Sequence, residues 1–148
     1  MTNALTAIFF GGALASASFA QAAPMVEAAW SRPAAQGSTG VGFMTLVNPG
    51  TKADALIAVQ SPAAREVQVH LSSVSGGMAS MQAVASTPLS AGGRVTFAPG
   101  GYHLMFLGLK RPLKVGDSLA ATLVFASGAR VTARFAVGLT APGDVHHH

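Results

Sequence analysis

Apolar and polar residues divide the chain into an uncharged leader and a long body of short alternating segments. Leu5–Phe19 reads LTAIFFGGALASASF, with no charged residue. From Met25 onward the pattern is strand-like: Met25–Trp30, Val41–Asn48, Ala55–Gln60, Glu66–Ser72, Met81–Ser86, Arg94–Ala98, His103–Leu109, Ser118–Phe125 and Arg130–Val137. Turn formers separate these runs: NPG at Asn48–Gly50, SP at Ser61–Pro62, SGG at Ser75–Gly77, AGG at Ala91–Gly93, PGG at Pro99–Gly101, VGD at Val115–Asp117 and SG at Ser127–Gly128. Evenly spaced strands with short turns predict an all-β, mostly antiparallel sandwich or barrel. No long stretch has helical periodicity with caps, and neither a repeat nor a domain boundary is visible.

Two strands alternate clearly. In EVQVHLS, Val67, Val69 and Leu71 share one face, and Gln68 and His70 the other. The apolar face is expected in the core, with His70 pointing outward. In HLMFL, Leu104 and Phe106 share a face, while His103, Met105 and Leu107 share the opposite one. His103 and Met105 therefore project side by side.

The leader ends in SFAQAAP, which offers small residues of the A-x-A kind. It reads as a secretory signal peptide over residues 1–20, cleaved near Ala20 or Ala22. No Lys or Arg precedes the apolar run. The rival reading is an uncleaved anchor, but the run is shorter than the ~20 apolar residues of a span. The expected organisation is then a single domain over 23–139, a flexible tail over 140–148, and no stable membrane insertion after cleavage. What remains is long enough for a real core.

The formal charge is +4, and charged residues make up only 9% of the chain. Lys and Arg are scattered, without the basic stripe and interleaved aromatics of a nucleic-acid surface. The cysteine count is zero, so the exported domain relies on its core rather than on disulfides. It also has no thiol for catalysis or metal capture, and a soft metal would have to be held by Met and His.

The candidate ligands are His70, Met81, His103 and Met105. The SGG turn lets the chain reverse between His70 and Met81, and His103 with Met105 comes from a distant segment. A thioether is a neutral, soft donor that suits Cu(I) and binds Zn(II), Mg(II) or Ca(II) poorly. Two His and two Met leave the single positive charge of Cu(I) intact. Against this stands the ordinary role of Met as core filler. Met44, inside VGFMTLV, reads as such, Met78 reads as a loop residue, and Met25 is left unassigned.

The order is His70, ten residues, Met81, twenty-one residues, His103, one residue, Met105. It resembles the signature of the periplasmic copper chaperones called PCuAC. Flanking text is similar too: AWSRPA at Ala29–Ala34, GFMTLVNPG at Gly42–Gly50, SPAAREVQVH at Ser61–His70 and PGGYHLMFLGLKRPLKVGDSL at Pro99–Leu119. The resemblance covers about Met25 to Val137. It implies a cupredoxin-like β-sandwich binding Cu(I) through His70, Met81, His103 and Met105. It also implies delivery of copper toward the binuclear centre in the copper domain of a cytochrome c oxidase subunit, alongside Sco-type thiol proteins. Many members carry a second Met directly after the first His, where this chain has Leu71.

The terminal His146–His148 cluster reads either as a native extension, expected to bind Cu(II) without any fold, or as the remnant of a purification tag. A blue-copper electron carrier needs a Cys thiolate and fails on the cysteine count. A non-metal extracytoplasmic β-sandwich module stays open as the alternative. A hydrolytic enzyme finds no catalytic grouping among five acidic residues and two body histidines. The expectation is a periplasmic carrier, not an enzyme, with a shallow, solvent-facing site.

Overall fold

A computed structural model describes residues 8, 11–12 and 22–143. The expected signal peptide, apart from those three residues, and the tail at Val145–His148 lie outside the described residues. The strands are β1 (Met25–Ser31), β2 (Gly40–Val47), β3 (Asp54–Gln60), β4 (Ala64–Ser75), β5 (Met78–Val84), β6 (Thr87–Leu89), β7 (Arg94–Phe97), β8 (Tyr102–Leu109), β9 (Ser118–Phe125) and β10 (Arg130–Val137). They hydrogen-bond along one path, β5-β4-β8-β2-β1-β10-β9-β3-β6, with β7 added to β2. β1 runs parallel to β10; the other pairs are antiparallel.

Each strand read from the pattern lies on one of these. Two boundaries move for a local reason. β4 extends to Ser75 and β5 begins at Met78, because Gly76 and Gly77 take φ of +58° and +78°. That pair makes a two-residue hairpin turn, which requires positive φ at both central positions. The short strand β6 is one that the pattern does not predict. It contains Pro88, which cannot donate to a ladder, and sits at the end of the strand path against β3.

Alternation drives the packing. Leu119, Ala121, Leu123 and Phe125 of β9 are buried, as are Ala133, Phe135 and Val137 of β10. From the other side come Met44 and Leu46 of β2 and Leu104 and Phe106 of β8. The rings of Phe106 and Phe135 meet edge-on at 5.8 Å, although β8 and β10 are not neighbours along the sheet. This contact crosses the core and defines a sandwich. Met44 is 2% exposed, the core role expected of it. Tyr102 stacks on Phe97 at 5.4 Å and packs against the core. Val67 and Val69 also pack against the core, as the alternation of β4 required.

Candidate metal centre

The three strands β5, β4 and β8 are consecutive along the sheet, and their register places the candidate ligands. His70 lies opposite His103, and Gln68 opposite Met105. Met81 lies opposite Ser72, two residues along β4 from His70. Directly opposed residues of an antiparallel ladder share a face, and so do alternate residues of one strand. His70, Met81, His103 and Met105 therefore all project from one face of this ribbon. Leu71 pairs with Tyr102 and belongs to the other face.

A hollow of about 240 Å³ brings Met81, His103 and Met105 together with Ser72, Val41 and Arg32. His70 stands outside its lining, with its ring centroid 5.9 Å from that of His103. The Arg32 guanidinium lies 5.3 Å from the centre of the Phe43 ring. The site is not uniformly solvent-facing as expected. Met81 is 52% exposed, whereas His103 is 6% exposed, because β8 is an interior strand between β4 and β2.

The backbone fixes the chemistry of His103. Gly101 N–H donates to the Ala98 carbonyl at 3.0 Å and closes a turn with Pro99 second and Gly100 third. Gly100 has φ +87°, which the third position of such a turn requires and only glycine adopts without strain. The Gly101 carbonyl then accepts from Ser72 N–H at 3.1 Å and from His103 Nδ1 at 3.1 Å. A carbonyl oxygen only accepts, so Nδ1 carries the hydrogen of the neutral ring. Nε2 is left with its lone pair facing Met81 Sδ at 3.0 Å. Two electron-pair donors meet there, which suits a soft cation between them. Among the described residues no three His, Cys, Asp or Glu side chains converge as a metal cluster, so a site here depends on thioethers.

Burial, and secondarily the nearby His103, hold the His70 imidazole below its ordinary value of 6.5. The unfolded chain therefore takes up a proton more readily here than the folded chain. Stability is unaffected while both states are neutral and falls as pH drops through the ordinary value. Urea unfolding of the metal-free protein should show a midpoint that declines between about pH 7.5 and about pH 5.5. His70→Gln should flatten that decline, and an equal slope in the variant would contradict the assignment.

Reading the chain alone missed Arg32, Phe43 and the Gly101 carbonyl as site neighbours. Only Gln68 carried a local signal, through its shared face with His70.

A family model described as "Putative lipoprotein LpqE-like" matches residues 25–137. The curated "Putative lipoprotein Lxx21020" of Leifsonia xyli subsp. xyli is 35% identical over 104 residues, covering 70% of this chain. This chain spans only 62% of that relative's length. Among solved structures, the copper-bound PCuAC domain from PmoF2 is 29% identical with a TM-score of 0.67, covering 82% of this chain and 97% of that one. The Cu(I) form of DR1885 from Deinococcus radiodurans is 31% identical with a TM-score of 0.59, covering 78% and 79%.

Proposed function

The chain belongs to the LpqE-like family and has the cupredoxin-like β-sandwich of PCuAC domains, and from that premise we propose that it carries Cu(I) outside the cytoplasm. The proposed ligands are His70, Met81, His103 and Met105. The observation that carries the reading is the 3.0 Å approach of His103 Nε2, lone pair first, to Met81 Sδ. Met105 lines the same hollow. Four neutral donors leave Cu(I) its single charge and offer a divalent ion little. Copper-bound forms among the similar structures support the choice of metal.

The exposure gradient suits transfer. An incoming ligand reaches exposed Met81 first and buried His103 last, so the partner's donors replace those of the carrier one at a time. The acceptor in this reading is the copper domain of a cytochrome c oxidase subunit, with a Sco-type protein as a further partner; both are what the resemblance to PCuAC chaperones implies. No reaction is assigned to the chain itself. The leader and the lipoprotein descriptions of its relatives support export to the periplasm. Cu(II) is assigned to His146–His148.

Anaerobic titration against a colorimetric Cu(I) chelator tests this. One Cu(I) per chain should bind, and binding should survive deletion of Val145–His148. Cu(II) and Ni(II) uptake should fall with the same deletion, because imidazoles suit those ions. Loss of Cu(I) and retention of Cu(II) in the shortened chain would overturn the ligand assignment. Mixing the loaded protein with a metal-free oxidase copper domain tests delivery: copper that stays on the carrier counts against that acceptor.

A further inference from the structure

We propose that Gln68, itself held by Glu66, is a positioning residue that turns Nδ1 of His70, rather than Nε2, toward Cu(I). The inference rests on the carrier reading above and adds which nitrogen binds and what holds it there. The Gln68 amide nitrogen donates to Glu66 Oε1 at 3.0 Å. A carboxylate oxygen accepts and cannot donate, so the amide is oriented with its nitrogen toward Glu66. Its carbonyl oxygen Oε1 then faces His70 Nε2 at 2.9 Å. That oxygen also only accepts, so Nε2 carries the hydrogen of the neutral imidazole. The lone pair of His70 is left on Nδ1.

Nδ1 is buried and has no hydrogen-bond partner. Buried polar atoms without partners are rare enough to need a reason. A metal ion is a natural one here, because His70 lies directly across the ladder from His103 and on the face that carries Met81 and Met105. Hydrogen bonds to the far nitrogen of a ligating imidazole fix both its tautomer and its ring orientation. Without Gln68 the ring is free to turn over and present Nε2. The two histidines are then held by different devices: a backbone carbonyl directs Nε2 of His103 inward, and a side-chain relay directs Nδ1 of His70.

The test combines imidazole ¹⁵N NMR with Cu(I) competition on the whole protein. In the metal-free wild type, His70 should show hydrogen on Nε2 and none on Nδ1. With Cu(I) bound, the Nδ1 resonance should move and Nε2 should keep its hydrogen. Gln68→Leu should populate mixed tautomers or ring orientations and lower Cu(I) affinity about tenfold, the lower end for loss of such a partner. Gln68→Glu combined with Glu66→Gln keeps an acceptor for Nε2–H and a donor that holds it, and should restore both readouts. Hydrogen on Nδ1 in the metal-free wild type would overturn the proposal without any variant. So would wild-type affinity in Gln68→Leu. A wild type that takes up no Cu(I) overturns the carrier reading and the ligation with it, while the metal-free spectrum still decides the tautomer.

Discussion

Replacing Met81 and Met105 together by leucine is expected to weaken Cu(I) binding by more than about a hundredfold. Loss of an outer-shell partner already costs about 10- to 100-fold in metal affinity, and this change removes two proposed direct ligands. Leucine nearly conserves volume but has no sulfur lone pair, so the soft donors disappear while the apolar surface remains. The fold should tolerate the change. Met81 is 52% exposed, and Met105 is only partly buried on β8. Such swaps usually cost less than about 1.5 kcal/mol even in a core. Met44→Leu is the control, because Met44 lies 2% exposed in the core and should leave affinity unchanged. Anaerobic chelator competition measures the affinity, and urea unfolding measures the stability. A double variant that binds Cu(I) within a few-fold of wild type removes both sulfurs from the site.

Phe106→Ala should destabilise the domain by about 3–5 kcal/mol, the usual range for truncating a buried phenylalanine. Phe106 is 0% exposed and meets Phe135 edge-on at 5.8 Å. In β8 it pairs with Gly40 on one side and Val67 on the other, so the cavity would open beneath three strands. Against a typical domain stability of about 5–15 kcal/mol, the loss is large. It would show as a lower urea midpoint at unchanged slope. Phe106 also holds the strand that carries His103 and Met105, on the opposite face. Copper that binds only the folded state should raise the midpoints of the variant and of the wild type alike. A loss below about 1 kcal/mol would contradict the core role of Phe106, and a midpoint insensitive to Cu(I) would show that the strand no longer presents its ligands.

Faces along each strand were legible in the chain because they are local. In HLMFL a period of two sends Leu104 and Phe106 one way and His103 and Met105 the other, whatever lies alongside. The same holds for Val67 and Val69 against His70. Turn chemistry is local too, as Gly76–Gly77 and Gly100 show. The motif intervals marked the four candidate ligands, and alternation correctly separated Leu71 from them. β6 escaped because Pro88 carries no strand signal and its pairing with β3 is remote in sequence.

Register between β4 and β8 was decided only by the tertiary structure, whereas that of the β4–β5 hairpin follows from its two-residue turn. Met81 meets Ser72 because the count of residues around a two-residue turn sets the ladder, and His70 meets His103 through the non-local pairing of β4 with β8. A slip of one residue in either ladder would turn a proposed ligand to the opposite face. Burial of His103 follows from β8 lying between β4 and β2, which no pattern within β8 itself reveals. The nitrogen that keeps its lone pair is likewise a three-dimensional matter, since the Gly101 carbonyl decides it for His103. Alternation depends on neighbouring residues of one strand, but pairing and hydrogen-bond direction depend on atoms that the fold alone brings within reach.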